Sequence, residues 1–273
     1  MKHVPEPGDS ITMDKGAWVL GERIGSGGFG LVFQARRGDG ATGAVKLIEK
    51  APGADRELLL GRTLAESPHV VPVLDAGETE DHWALAMPLA DTSLDVRLAR
   101  QGGAPLPLTD TLAVLRDIAA ALVALDGQVV HRDLKPANIL LLNGSWRLAD
   151  FGISRYAEAS TDPNTRKHSL TPPYAAPEQW RGDRATGATD VYAAGVVAYE
   201  LLTGSRPFKG PQSHDYRRQH LSDPLPPLPR DVPAELAALV KESLFKPAGA
   251  RPTARDLRAR LDRFDRARSS KRP

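Results

Sequence analysis

The sequence predicts an α+β chain of two lobes, a small antiparallel β lobe with one main helix and a larger, mostly helical lobe. Three observations predict it. Roughly the first 90 residues read as mostly strand with one helix, with alternation visible in Leu31, Phe33 and Ala35 against Val32, Gln34 and Arg36. Beyond them, apolar residues recur every three or four positions, the period of a helix with one buried face. Hydrophobic residues at 41% and charged residues at 26% suit a packed core and give no support to disorder, collagen or coiled coil.

The elements follow in order. After a polar start bearing Pro and Gly, "AWVLGERIGSGGFGLVFQARR" reads as strand, glycine-rich turn and strand, and "TGAVKLIEK" as a third strand. "ADRELLLGRTLAES" has helical spacing, with Asp55 as its N-cap. "VVPVLDAGETEDHWALAMPLA" gives two strands around an acidic turn. The character changes near residues 87–92, which sets residues 1–88 as the small lobe, 89–267 as the large lobe and 268–273 as a basic tail.

In the large lobe, Thr109 to Leu125 places Leu112, Leu115, Ile118, Ala119 and Leu122 on one helix face. Further helices are expected over "ATDVYAAGVVAYELLTG", ended by Gly204, over "PAELAALVKESLF", and over "ARDLRARLDRFDRAR". The five prolines of "DPLPPLPRDVP" read as an ordered loop ahead of a helix in preference to a polyproline ligand.

Charge and composition exclude several function classes. A net charge of +2 makes no global case for nucleic-acid binding. From Arg251 onward nine Lys/Arg face three Asp, which reads as a solvated helix face with a frayed end. The absence of cysteine excludes a disulfide framework, a Cys-ligated metal and a thiol nucleophile. No apolar stretch has signal-peptide or membrane-helix length, so a cytosolic protein is expected.

"GSGGFG" sets Gly25, Gly27 and Gly30 in a G-x-G-x-x-G spacing that lets backbone N–H groups approach phosphate oxygens. In a dinucleotide fold such a turn opens a helix. Here "LVFQARR" follows, which favours a hairpin and a flap over phosphates. Lys46 lies sixteen residues beyond Gly30, flanked by Ala44, Val45, Leu47 and Ile48. A lysine there is better placed to reach a buried anion than a surface one.

"VVHRDLKPANIL" crowds Arg132, Asp133, Lys135 and Asn138 between apolar flanks. Such side chains are seldom buried unless paired or bound to something. A polar turn is one account, and a site for a charged substrate is the other.

These features together resemble the eukaryotic-like (Hanks-type) serine/threonine protein kinases and imply a bilobal protein-kinase-like fold; the wealth of Ala, Arg, Gly and Pro without cysteine suggests a bacterial member. "HRDLKPAN" resembles the catalytic loop, and Asp150 of "DFG" stands seventeen positions after Asp133. "AAPE" closes at Glu178, and Asp190 and Arg251 extend the match.

The resemblance implies a phosphotransferase that moves the γ-phosphoryl group of ATP to Ser/Thr hydroxyls of protein substrates. Asp133 would take or orient the acceptor proton, Lys135 would lie near the γ-phosphate, and Lys46 would hold the α/β-phosphates and pair with Glu57. Asn138 and Asp150 would bind Mg²⁺, or Mn²⁺ in its place. Ile24, Gly25, Gly27, Gly28, Gly30, Val32 and Ala44 would cover the nucleotide, Leu140 would form its floor, and Met87, Pro88 and Ala90 would form the hinge. Arg132 would receive a phosphorylated activation segment, in which Thr165 is the first choice of acceptor and Thr161, Ser169 and Ser160 are the others. Thr171 would belong to the substrate loop. Asp190 would brace the catalytic loop, and Glu178 would pair with Arg251.

The resemblance also implies transient self-association for autophosphorylation in trans. It implies a cytoplasmic location, or the cytoplasmic domain of a membrane kinase if the chain is a fragment. A scaffold without activity predicts loss of a charge-handling residue, yet Lys46, Asp133, Asn138 and Asp150 are all present. Small-molecule phosphotransferases of similar fold lack the long segment ending in "APE". Nucleotidyl transfer is separated from phosphoryl transfer by labelling the α- or the γ-phosphate.

Overall fold

The structure, a computed structural model, describes residues 4–27, 30–50, 67–150 and 170–270. The chain is α+β and forms two units, one of strands and one mostly of helices, which divide at Asp91 and Thr92. The expected helix over residues 54–67 lies almost wholly outside the described residues.

Six strands make the first unit: β1 (Ser10–Met13), β2 (Gly16–Gly27), β3 (Gly30–Arg37), β4 (Thr42–Glu49), β5 (Asp75–Glu78) and β6 (His82–Met87). They close into an antiparallel barrel in the order β1-β2-β3-β4-β6-β5, which leaves no open sheet edge among them. Alternation fixes the two faces. Trp18, Leu20, Phe33, Ala35, Val45, Leu47, Ala84 and Ala86 fill the interior with Ile11 and Met13 of β1.

The polar start carries no strand expectation, yet β1 closes the barrel through Met13 opposite Gly77. Asp75 locks this seam from within. Its carboxylate accepts from the Lys15 N–H at 3.0 Å and from the Trp18 Nε1 at 2.9 Å. A buried carboxylate with such donors replaces the water it has lost.

The second unit opens with β7 (Thr92–Ser93), α1 (Leu94–Arg100) and α2 (Leu108–Leu125). A short 3₁₀ turn (Pro136–Asn138) leads into β8 (Ile139–Leu142) and β9 (Ser145–Leu148). Asn143 and Gly144, with φ of 51° and 78°, form the two-residue turn between them. An Asn-Gly pair is the residue choice that a tight hairpin with positive φ demands.

Then follow α3 (Pro177–Arg181), α4 (Gly187–Thr203), α5 (Ser213–Ser222), α6 (Ala234–Ser243) and α7 (Ala254–Ser269). Gly204 ends α4 at φ 73°. Helix α4 is buried along nearly its whole length, from Thr189 to Leu202, and packs against α2 and α6. At Gly195 an added Cβ would come within 2.9 Å of Ser243 on α6, so glycine sets that close approach. Every apolar position expected on the inner face of α2 is buried.

Candidate active site

Each unit presents its own set of the sequence-predicted residues. In the barrel, β-sheet register gathers the nucleotide candidates on one face. Gly25 lies opposite Val32, Val32 opposite Lys46, and Ala44 opposite both Gln34 and Met87. These positions alternate with Phe33, Val45 and Ala86 of the core, so Gly25, Val32, Ala44, Lys46 and Met87 share the outer face.

Lys46 is 3% exposed, which makes it a buried cation on an otherwise apolar strand. Ile24 falls in an irregular stretch of the β2–β3 pairing and is exposed. Gly30 has φ 119°, and a Cβ there would meet the Leu47 carbonyl oxygen at 2.1 Å, so no side chain fits. Gly27 ends β2, and Pro88 and Ala90 follow β6 half-buried. Gly28, Glu57, Ser160, Thr161, Thr165 and Ser169 lie outside the described residues.

In the second unit Asp133 and Asn138 are buried, Lys135 is half-buried, and the three are bonded to one another. The Asp133 carboxylate is the hub. Its Oδ1 accepts from the Thr171 hydroxyl at 2.6 Å, and its Oδ2 lies 2.7 Å from Lys135 Nζ. Lys135 Nζ also donates to the Thr171 hydroxyl at 3.0 Å.

Asn138 Nδ2 donates to the Asp133 backbone oxygen at 2.8 Å and to Oδ2 at 3.1 Å. With its amide nitrogen so engaged, Asn138 has its side-chain Oδ1 left for a cation, while its backbone carbonyl serves the hairpin. The hairpin register Ile139↔Leu148 continues through a bond from the Ala149 N–H to the Asn138 carbonyl at 2.9 Å. Asn138 and Asp150 therefore leave the same end of the β8–β9 ribbon, and Leu140 sits half-buried on β8. One carboxylate and one amide oxygen suit a hard cation that takes its remaining ligands from phosphates and water.

The backbone of this loop is strained. Arg132 and Asp150 hold φ of 68° and 67°, a left-handed conformation that costs a side-chain-bearing residue about 1–3 kcal/mol. Asp190, in the first turn of α4, braces the first of them. Its two carboxylate oxygens accept from the N–H groups of His131 and Arg132, each at 2.7 Å. Burial pushes the Asp190 carboxyl above its ordinary value, and these donors oppose that rise.

Two residues that the sequence reading did not flag complete the brace. His131 is fully buried and bonds the Ala149 carbonyl through Nε2 at 2.8 Å, while its Nδ1 receives the Asp133 N–H at 3.3 Å. A carbonyl only accepts, so Nε2 carries the proton. Gln179 donates to the Arg132 carbonyl at 2.8 Å and accepts from the Ala176 N–H at 2.9 Å. Neither residue belongs to a charged cluster. Their signal was position alone, one residue before Arg132 and one after Glu178.

Glu178 and Arg251 form a bidentate pair at 2.7 and 2.8 Å. The guanidinium also donates to the carbonyls of Phe245, Ala188 and Lys246, and Thr189 donates to Glu178 at 2.8 Å. Burial raises the Glu178 carboxyl, but Arg251 outweighs it and holds the group below its usual value.

Residues 18–260 match the model of the protein kinase domain. The chain is 36% identical to the serine/threonine-protein kinase PkaA of Streptomyces coelicolor, over 88% of this chain and 48% of that protein. It is 33% identical to the serine/threonine-protein kinase pkn2 of Myxococcus xanthus, over 89% of this chain and 32% of that protein. With the serine/threonine-protein kinase PknA of Mycobacterium tuberculosis the figures are 34%, 85% and 57%. The chain thus spans about half the length of these relatives, or less for pkn2. By its matched domain and its relatives, this chain belongs to the protein kinase family, alongside bacterial serine/threonine kinases of the Hanks type.

Proposed function

We propose that the chain transfers the γ-phosphoryl group of Mg²⁺-bound ATP to serine and threonine hydroxyls of protein substrates. One observation carries this reading: Asp133 accepts the hydrogen of an alcohol, that of Thr171, while Lys135 reaches both the carboxylate and the same hydroxyl oxygen. An acceptor hydroxyl offered to Asp133 would find a proton acceptor and a cation already in place.

Asp133 orients the attacking oxygen and takes its proton. Lys135 offsets charge as the phosphoryl group moves. Asn138 and Asp150 would hold Mg²⁺, which when bound compensates the phosphate charge. On the barrel, Lys46 grips the α/β-phosphates, Gly25, Gly27 and Gly30 bring backbone N–H groups over them, and Val32 and Ala44 cover the base; in the second unit the resemblance assigns Leu140 of β8 to the base as well. Ile24, Met87, Pro88 and Ala90 border it. Mn²⁺ would serve in place of Mg²⁺ with the same hard oxygen ligands.

The reading extends to regulation. Autophosphorylation within residues 160–169, by a transient pair of chains, would add an anion for Arg132. Protein substrates bearing Ser/Thr are the partners, and the cytoplasm supplies the nucleotide. No helix among the described residues is long and apolar enough to cross a membrane.

The test is incubation with Mg²⁺ and ATP labelled on either the γ- or the α-phosphate, followed by mapping of modified residues. Label on Ser/Thr from the γ position alone is the expected result. Transfer from the α position would replace the reading with nucleotidyl transfer.

A further inference from the structure

The five prolines between α5 and α6 form the ordered loop expected of them, and that loop also shows a regular face to solvent. Its two ends hold one backbone conformation. Asp223, directly after α5, has φ −72° and ψ 144°, and Pro233, directly before α6, has φ −55° and ψ 134°. Both lie close to the polyproline II values of about −75° and 145°. Proline chemistry carries this geometry through the residues between. The rings of Pro224, Pro226, Pro227 and Pro229 fix φ. Asp223, Leu225, Pro226 and Leu228 each precede a proline, whose ring pushes them out of the helical region.

Exposure follows the three-residue period of a polyproline II helix. Pro224, Pro227 and Arg230 are exposed, whereas Leu225, Pro226 and Leu228 are half-buried. Pro229 adds a further exposed ring. The segment is held at both ends: Asp223 pairs with Arg218 at 2.7 Å, and the Pro229 carbonyl accepts from the Val232 N–H at 3.2 Å. From Pro224 to Leu228 no residue makes a hydrogen bond to another described residue, so their carbonyls keep full acceptor capacity. Arg230 likewise has no ion-pair partner among the described residues.

A ridge of this kind is recognised by aromatic side chains. Tyr and Trp lay a flat apolar face on proline rings, and each carries an O–H or N–H that donates to the ridge carbonyls. Little conformational freedom is lost on binding, because the ridge is formed beforehand. Arg230 sets a guanidinium at the end of the ridge, and its natural counterpart is a carboxylate beside the groove.

We propose that residues 224–230 are a docking ridge for a second protein whose groove is lined by Tyr and Trp and flanked by a carboxylate, the type of groove that SH3 and WW domains carry. None of these residues belongs to the site assigned to phosphoryl transfer. The ridge therefore recruits a partner without touching the reaction, and the inference stands independently of that reading.

The experiment titrates the 273-residue chain into isotopically labelled SH3 and WW domains, a set that spans acidic and neutral grooves, and follows the groove amides and indole N–H groups by NMR. Saturable binding that shifts the groove signals is the expected result. The double variant Pro224→Ala/Pro227→Ala weakens it at least tenfold, and Arg230→Glu weakens it at least threefold in the acidic grooves alone. Phosphoryl transfer from γ-labelled ATP to a Ser/Thr peptide stays within twofold in both variants. Thermal melts accompany each titration.

Binding by no member of the set, or binding unchanged in a folded double variant, overturns the inference. If the double variant fails to fold, Arg230→Glu decides: affinity for the acidic grooves equal to that of the wild type overturns it. Self-association of the chain that the double variant abolishes assigns the ridge to a second copy and overturns it as well.

Discussion

Arg251 reaches Glu178 across 73 residues of sequence and meets both of its carboxylate oxygens. The guanidinium side chain is fully buried, the carboxylate is 7% exposed, and the Tyr192 ring stacks against the cation at 4.8 Å. Removing one member strands the other charge, which costs about 3–5 kcal/mol in comparable buried pairs. Arg251→Met is expected to lose that much in urea unfolding, and Glu178→Gln somewhat less because Thr189 and one guanidinium arm keep a partner. Because Arg251 holds Glu178 below its usual 4.5, the pair's contribution is complete above that pH and lost as pH falls through the lowered value. The acid limb of the stability curve should flatten in Glu178→Gln.

Asp190 holds a strained backbone in place. The left-handed Arg132 is tolerated because its N–H and that of His131 both find the Asp190 carboxylate. Asparagine offers one acceptor oxygen where aspartate offers two. Asp190→Asn should therefore free one of the two amides, cost about 1–3 kcal/mol, and lower phosphoryl transfer at least tenfold. Hydrogen exchange at His131 and Arg132 checks it directly. Unchanged protection at both amides would contradict the assignment.

The buried imidazole of His220 makes the fold sensitive to mild acid. Its folded value of about 3 lies below the ordinary 6.5, so the unfolded chain binds the proton more readily. Stability rises with pH wherever the unfolded state holds more protons. The contribution is therefore complete above pH 6.5 and lost progressively as pH falls from there towards 3. At pH 5 the loss amounts to about 2 kcal/mol. Urea midpoints at pH 7 and pH 5 should show this gap in the wild type and a smaller one in His220→Phe. Equal acid loss in both proteins would assign the effect to other groups.

Much of this architecture can be read from local pattern. The β2–β3 hairpin announces itself through glycine spacing followed by alternating residues, and α2 through five apolar positions that all prove buried. Two elements are silent for physical reasons. Strand β1 has four residues, of which only Ile11 and Met13 face the core, too few to establish a period. Helix α5 has one buried side chain and so no apolar stripe at all.

Legibility in the site divides along the same line. Asp133, Lys135 and Asn138 are visible because charged and polar groups crowd a short apolar stretch, and Asp150 through the "DFG" that carries the family resemblance. His131 and Gln179 work through backbone carbonyls, those of Ala149 and Arg132, and a carbonyl leaves no mark in a sequence. Only the fold reveals what they hold.

The central claim is that Asp133 receives an acceptor hydroxyl, as it receives that of Thr171 at 2.6 Å. Asp133→Asn keeps the shape and removes the proton acceptor. The decisive measurement is the rate of γ-phosphoryl transfer from Mg²⁺-ATP to a Ser/Thr peptide by this variant beside the wild type, with nucleotide affinity measured in parallel. The account predicts a fall of about 10²–10⁴-fold in kcat, the range that a positioned proton acceptor contributes, with ATP affinity within a few-fold. Equal turnover by the two proteins would contradict it.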